Sequence, residues 1–290
     1  MRLAQQWTDY QVLDTSGGEK LERWGDIFLV RPDPQVIWQP EKDRAFWNNI
    51  HARYLRSSKG GGKWEFYKSV PEKWNIKYKN LTFKITPTGF KHTGLFPEQA
   101  VNWDLFSTYI QNAGRPIKVL NLFAYTGGAT LACAAAGAQV CHVDASKGMV
   151  AWARENAALS GLQGASIRWI VDDCAKFVQR EIRRGSFYDA VIMDPPSYGR
   201  GPGGEIWKLE EQIYQLVELC SGVLNETPLF FAINSYTTGL SPSVMKYILG
   251  LTVGKRYKGL LQADEIGLPV QKTQLALPCG STAIWSREDV

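Results

Sequence analysis

The 290-residue sequence predicts an α/β fold: a seven-stranded sheet, mostly parallel with one antiparallel strand, behind a small N-terminal β-rich domain. Three observations carry that prediction. From residue 117 onward, short apolar runs alternate with stretches of helical length, the pattern of strands joined by helical crossovers. The apolar run 117–124 ends in Tyr125-Thr126-Gly127-Gly128 and passes straight into an Ala-rich segment. Asp144 closes the next apolar run about 20 residues later, which is the layout of a nucleotide-binding βαβ unit.

Taken in order, residues 1–92 form the β-rich domain. Short strand-like runs fall at 24–30, 76–78 and 81–85, and one helix is expected around 43–56. Asp33-Pro34 and a loop at 57–62 break the runs. A helix over 99–113 belongs to the larger domain, residues 93–290. Strands are then expected at 117–124, 139–143, 165–171, 188–193 and 228–234, near 254–260, and at 280–286. Helices are expected at 128–137, 146–160, 173–184, 206–224 and 241–250. Only a loop separates the last two strands, so one of them runs antiparallel.

Bulk properties narrow the function. With 44% hydrophobic residues there is ample material for a core. Met1-Arg2-Leu3-Ala4-Gln5-Gln6 does not read as a signal peptide, and no apolar run approaches the ~20 residues that span a bilayer. The five cysteines, Cys133, Cys141, Cys174, Cys220 and Cys279, lack metal-ligand spacing, and there are only three histidines. Reduced, mostly buried thiols in a cytoplasmic protein without a metal centre are therefore expected. Residues 51–91 hold ten Lys/Arg against Glu65 and Glu72, a local charge of +8 in a chain whose total is +5. Tyr54, Trp64, Phe66, Tyr67, Trp74, Tyr78, Phe83 and Phe90 are interleaved with those charges. Basic groups neutralise phosphates and exposed rings stack on bases, so RNA contact is expected here. The competing reading is a small β module whose rings form its core and whose lysines are merely solvated.

The turn after the first strand lacks the G-x-G-x-x-G spacing that a pyrophosphate requires, and Tyr125 stands where backbone would have to approach phosphate. A ligand with an adenosine but no pyrophosphate fits, and S-adenosylmethionine is such a ligand. A second motif, Asp194-Pro195-Pro196-Ser197-Tyr198, follows the apolar run Ala190-Val191-Ile192-Met193. Two prolines remove donors and fix φ, so the carbonyls of the turn point in set directions. A carboxylate, fixed carbonyls and a nearby ring suit a planar, electron-rich acceptor, although Pro-Pro also simply ends strands.

With these motifs in order, residues 75–290 resemble the class I S-adenosylmethionine-dependent methyltransferases, which have a Rossmann-like seven-stranded sheet. More narrowly, they resemble the bacterial large-subunit ribosomal RNA methyltransferase family. Its members read Asn-x-Phe-x-Tyr-Thr-Gly-Gly in the first motif, here Asn121-Leu122-Phe123-Ala124-Tyr125-Thr126-Gly127-Gly128, and Asp-Pro-Pro-[Lys/Ser]-aromatic in the fourth. An upstream Lys-Thr-Gly-x-[Phe/Tyr]-x-x-Gln stretch closes over the cofactor in that family, and this chain has His92-Thr93-Gly94-Leu95-Phe96-Pro97-Glu98-Gln99. Larger members begin with an RNA-binding PUA module, whereas this chain opens differently, with Glu19-Lys20-Leu21-Glu22-Arg23-Trp24-Gly25.

The cofactor-binding set expected from the residues and the resemblance together is Thr93, Gly94, Phe96, Asn121, Phe123, Tyr125, Thr126, Gly127, Asp144, Ala145, Ser146, Asp172, Asp173, Cys174 and Asp194. Asp144 would accept the ribose hydroxyls, and Ser146 would cap the following helix. The resemblance implies an acid bonded to the adenine amino group; either Asp172 or Asp173 fills that role while the other caps a helix. The expected catalytic residues are Asp194, Pro195 and Tyr198, with Tyr198 or Tyr236 stacking on a flipped base. Carbon-5 transfer to a pyrimidine needs a thiolate. In the resembling family that Cys lies in the loop after the fifth strand or in the fourth motif, and neither Asn234-Ser235-Tyr236 nor Asp194-Pro195-Pro196-Ser197-Tyr198 contains one. The expected reaction is transfer to a base nitrogen in RNA, ribosomal RNA first, with an oxygen as the lesser acceptor. The alternatives are transfer to a protein side chain or a small molecule, and a non-catalytic RNA-binding assembly factor.

Overall fold

The computed structural model describes residues 1–57, 61–200, 206–237 and 239–288. The chain divides into two compact units, Met1–Val101 with Gly267–Cys279, and Asn102–Ile266 with Gly280–Val290.

The first unit is built on a five-stranded sheet of β2 (Tyr10–Ser16), β3 (Glu19–Trp24), β4 (Ile27–Pro32), β5 (Ala52–Arg56) and β6 (Gly62–Phe66), in that spatial order. The two-residue strand β1 (Arg2–Leu3) precedes it, and β7 (Trp74–Tyr78) and β8 (Leu81–Ile85) form a separate hairpin. The strand expected over 24–30 is instead a hairpin. Gly25, at φ +64, takes the left-handed conformation that turns β3 into β4. The helix expected over 43–56 is also corrected. Only α1 (Arg44–Trp47) is helical, and β5 follows because Ala52 and Tyr54 point inward while Arg53 points out. That alternation has period 2, which a helix cannot satisfy. Residues 58–60 of the expected loop, including the basic Lys59, lie outside the described residues.

A charged cluster is sealed inside this unit. Glu22, fully buried, accepts bonds from Arg31 Nε at 2.6 Å, Arg31 Nη2 at 2.7 Å and the Tyr10 hydroxyl at 2.7 Å. Burial by itself would raise the Glu22 carboxyl, but Arg31 and Lys20 overcome it and lower it from 4.5 to about 2. A carboxylate depressed by folding stabilises the protein above its unfolded value and loses that contribution as pH falls through the folded one. The stability of this unit is therefore expected to fall between about pH 4.5 and pH 2. Glu22→Gln should flatten that acid limb in thermal melts across pH; an unchanged limb would show that other carboxyls control it.

The second unit carries the main sheet. Its strands are β9 (Lys118–Leu122), β10 (Gln139–Asp144), β11 (Ile167–Val171), β12 (Ala190–Met193), β15 (Phe230–Ser235), β16 (Leu260–Pro269) and β17 (Ala276–Ser286), with a short hairpin of β13 (Tyr198–Arg200) and β14 (Ile206–Lys208) after β12. The order is β1-β16-β17-β15-β12-β9-β10-β11, so the seven expected strands are present and β1 adds an eighth at the edge. β9 pairs in parallel with both β10 and β12, and β15 pairs antiparallel with β17. Alternate residues of each strand feed two cores. Leu120, Leu122, Val191 and Met193 pack with α5 (Cys174–Arg184), α6 (Leu209–Ser221) and α7 (Pro242–Leu251). Val119, Ala190, Ile192 and Phe230 pack with α2 (Ala100–Asn112) and α3 (Gly128–Ala135). The helix α4 (Lys147–Leu159) joins β10 to β11.

Two further expectations shift. The sixth strand begins at Leu260 rather than near 254, because Val253–Arg256 form the short helix α8 and a β-carbon at Gly259 would lie 2.6 Å from the Trp285 ring. The helix expected from 206 starts at Leu209, since residues 206–208 are paired in β14. No helix among the described residues is long and apolar enough to cross a membrane.

Candidate active site

Strand β9 is where the sheet order reverses: its neighbours β10 and β12 lead away on opposite sides. In such sheets the crevice beyond the carboxyl ends of the strands at this point receives ligands. The turns after β9, β10 and β12 are the ones the sequence singles out.

The first turn is held in an unusual shape. Phe123 at φ +55 and Tyr125 at φ +50 both adopt the left-handed region, which costs a non-glycine residue on the order of 1–3 kcal/mol. Named partners fix the turn. The Tyr125 amide donates to Asp144 Oδ2 at 2.8 Å, and the Phe123 amide donates to Cys174 Sγ at 3.3 Å. The Thr126 carbonyl accepts from Asn156 Nδ2 at 2.9 Å. Gly127, at φ +88, is the N-cap of α3 and leaves the first amides of that helix without a side-chain cap. Gly128 permits close packing, since a β-carbon there would meet the Trp103 ring at 2.4 Å.

Asp144 ends β10 with its other oxygen, Oδ1, accepting the Ser146 amide at 2.8 Å. Ser146 caps α4 through a 3.3 Å bond from the Met149 amide, and Ala145 between them is exposed. Asp173 is the N-cap of α5, accepting from the Lys176 amide at 2.8 Å, which settles the cap between the two neighbouring acids. Asp172 pairs with Arg180 and accepts the Asp173 amide at 2.9 Å.

Two expected site residues point inward. Asn121 is buried, and its amide donates to Thr130 Oγ1 at 2.9 Å; Thr130 in turn shares a 2.9 Å bond with His142 Nδ1. Burial first, then Arg154, lowers the His142 imidazole to about 3, so this strut between β9, α3 and β10 is uncharged. Cys174 is buried behind the turn, and burial pushes its thiol up to about 12. It works there as an acceptor for a strained amide.

Thr93, Gly94 and Phe96 belong to the first unit. The Thr93 hydroxyl is buried without a hydrogen-bond partner among the described residues, and Gly94 has φ +96. Phe96 lies 5.3 Å from the His92 ring and precedes a single 3-10 turn, Pro97–Gln99.

At the end of β12, Asp194 is half-buried, Pro195 is buried and Tyr198 is 53% exposed. The Pro196 carbonyl accepts the Trp207 indole at 2.6 Å, and the Ser197 carbonyl accepts the Leu209 amide at 3.1 Å. The β13–β14 hairpin thus buttresses the proline turn. Among the described residues no hydrogen bond occupies the Pro195 carbonyl. The Thr237 hydroxyl donates to Ser197 Oγ at 2.6 Å. Asn156, Trp207 and Thr237 act here without any local sequence signal, because each reaches the site from a different part of the chain.

Comparison with known proteins follows the same line. The S-adenosylmethionine-dependent methyltransferase family model matches residues 44–234. A solved S-adenosylmethionine-dependent methyltransferase from Agrobacterium tumefaciens is 36% identical, with TM-score 0.92 over 99% of this chain and 93% of that one. A Streptococcus mutans protein of 18% identity shares the fold, with TM-score 0.75 over 97% of this chain and 76% of that one. Curated relatives include the ribosomal RNA large subunit methyltransferase K/L of Shewanella baltica, 38% identical over 117 residues. That of Shewanella frigidimarina is 37% identical over 117 residues. The match takes in 40% of this chain but only 16% of those relatives.

Proposed function

Because this chain belongs to the S-adenosylmethionine-dependent methyltransferase family, we propose that it methylates a base nitrogen in RNA, ribosomal RNA first. The observation that carries the nitrogen assignment is the proline turn at the end of β12. Asp194 and the Pro195 carbonyl stand where a planar amine or ring nitrogen needs an acceptor to aim its lone pair. When bound, S-adenosylmethionine supplies an electrophilic methyl carbon and a neutral thioether leaving group. The protein positions the nucleophile and keeps water out. Asp144 and the left-handed turn Phe123–Tyr125 hold the ribose and methionine side, together with Thr126, Gly127, Ala145 and Ser146. Asp172 meets the adenine amine while Asp173 caps α5. The resemblance also assigns Thr93, Gly94 and Phe96 to cofactor binding, and within the first unit the Thr93 hydroxyl is buried without a hydrogen-bond partner among the described residues.

Carbon-5 chemistry is disfavoured by the thiols. Cys133, Cys141, Cys174 and Cys220 are buried, and burial raises all four above the ordinary range. Cys279, half-buried on β17, is likewise raised, and its Sγ donates to the Leu277 carbonyl at 3.4 Å. The five unpaired thiols also support a cytoplasmic location.

The RNA assignment rests on the 1–92 region and on the names of the Shewanella relatives. Lys63, Lys68, Lys73, Lys77 and Lys79 are exposed, as are Phe66, Tyr67 and Phe90. Tyr54, Phe83 and Tyr78 instead lie in the core, so the interleaved rings divide between surface and core. Tritiated methyl transfer to RNA, protein and metabolite fractions tests the reading, with label expected in RNA alone. RNA affinity should fall steeply with salt, and charge reversal at Lys63, Lys68 and Lys73 should flatten the slope by about one unit for each phosphate no longer neutralised. Label confined to protein or metabolites would overturn the RNA assignment. A covalent adduct between 5-fluorocytidine RNA and any Cys would overturn the nitrogen assignment.

A further inference from the structure

Strands β12 and β15 are parallel neighbours with a constant offset of 40 residues, from Ala190↔Phe230 to Met193↔Ile233. The Thr237–Ser197 hydroxyl bond has the same offset. The two segments leaving these strands therefore meet again at the same offset four residues beyond the ladder. Ser197 meets Thr237, and the same offset carried across the gap would set Asp194 against Asn234, Pro195 against Ser235 and Pro196 against Tyr236. Neighbouring strands are about 4.8 Å apart, so a register carried on in this way would bring Tyr236 next to the proline turn.

Asn234, Ser235 and Thr237 are held by hydrogen bonds, and Tyr236 has an interaction of its own. Asn234 Oδ1 accepts from Asn102 Nδ2 at 3.0 Å and from the Thr282 hydroxyl at 2.7 Å, all three residues being buried. Ser235 Oγ accepts the Thr237 amide at 3.1 Å. Thr237 holds Ser197. Tyr236 contributes the ring, and the ring has a built seat. One step beyond the pair Ser235↔Ser281, it faces Gly280 on β17. A β-carbon at Gly280 would lie 3.0 Å from Tyr236 Cδ1, 3.1 Å from Cε1 and 2.9 Å from the Ser235 carbonyl oxygen. Glycine thus lets the ring rest against backbone. Tyr198, by contrast, is in the β13–β14 hairpin opposite Lys208 and is 53% exposed.

We propose that Tyr236, seated on Gly280 and kept in register by the Ser197–Thr237 hydroxyl clasp, is the ring that receives the acceptor base beside Asp194-Pro195-Pro196. The proposal rests on the RNA-base reading above. It assigns stacking to the segment after β15 rather than to the tyrosine of the proline turn. Ser197 and Thr237 are positioning residues: they touch each other and fix the loops.

The test is steady-state methyl transfer to RNA by the full chain, with calorimetric binding of S-adenosylhomocysteine measured in parallel. Tyr236→Ala should lower kcat/KM for RNA roughly 10- to 100-fold, the range of a lost base–ring stack, with cofactor affinity within twofold of wild type. Tyr236→Leu should show the same loss, which guards against a folding defect peculiar to alanine. Tyr236→Phe, which keeps the ring, should restore the rate to within about threefold. Ser197→Ala and Thr237→Val should each cost a few-fold, and the double variant no more than the worse single one, since both remove one bond. Tyr198→Ala should cost less than Tyr236→Ala. If wild type labels RNA but Tyr236→Ala and Tyr236→Leu keep their rates, or Tyr198→Ala is the more damaging, this proposal fails while the RNA reading stands. If wild type labels no RNA, both fall together.

Discussion

Asp194→Ala is expected to lose turnover by about 100-fold or more while binding S-adenosylhomocysteine within about twofold of wild type. A positioned acceptor that aims a lone pair and takes up a proton contributes about 10²–10⁴ in rate. Asp194 directly follows β12, a strand buried on both faces and paired with β9 and β15, which limits how far its backbone can shift to compensate. In the turn that follows, Trp207 holds the Pro196 carbonyl and the Leu209 amide holds the Ser197 carbonyl. Loss of kcat and kcat/KM together is the signature of an interaction made in the transition state. Asp194→Asn keeps one acceptor oxygen and should retain more turnover than alanine. The sequence also counted Asp194 among the cofactor contacts. A parallel fall in cofactor affinity would favour that role, and near-normal turnover would remove the proline turn from the mechanism.

Asp144→Ala is expected to act on the other partner, the cofactor. Its two oxygens accept the Tyr125 and Ser146 amides, each at 2.8 Å, so one carboxylate joins the left-handed turn after β9 to the start of α4. Bonds to a charged acceptor contribute about 1.5–3 kcal/mol each, and Tyr125 is held in a left-handed conformation, φ +50. Cofactor Kd should rise roughly 10- to 100-fold through lost ribose contacts and a relaxed turn. Asp144→Asn should fall between wild type and alanine, since a neutral amide still accepts one of the two bonds. Calorimetry showing equal affinity for wild type and Asp144→Ala would take Asp144 out of the site.

Much of the second unit was legible because its signals are local. A glycine turn following an apolar run, an acid closing the next run and Asp-Pro-Pro closing another each specify a strand end within a few residues. Most predicted boundaries there lie within two or three residues of those observed, α5 and β10 within one. The misses occur where two local patterns compete. Residues 43–56 contain both a short helical start capped by Asp43 and an alternating strand, and only pairing of β5 with β4 and β6 decides between them. Residues 206–208 read as the beginning of α6 until β13 supplies a partner.

By itself the sequence determined the strand-and-helix alternation, the turns after β9, β10 and β12, and the absence of a cysteine from Asn234-Ser235-Tyr236 and Asp194-Pro195-Pro196-Ser197-Tyr198. Those properties follow from periodicity and from residues close in the chain. The tertiary structure decided which way the side chains of these segments point. Asn121 and Cys174 lie within the expected site segments yet support the turn from behind, because β-pleating and helix caps set their direction. It also decided that Asp173 caps α5, since a cap is defined by geometry at the helix start. The constant offset of β12 and β15, on which the proposal for Tyr236 is built, is a property of strand neighbours 40 residues apart. No local pattern encodes such a register, because it arises only when the sheet order is complete.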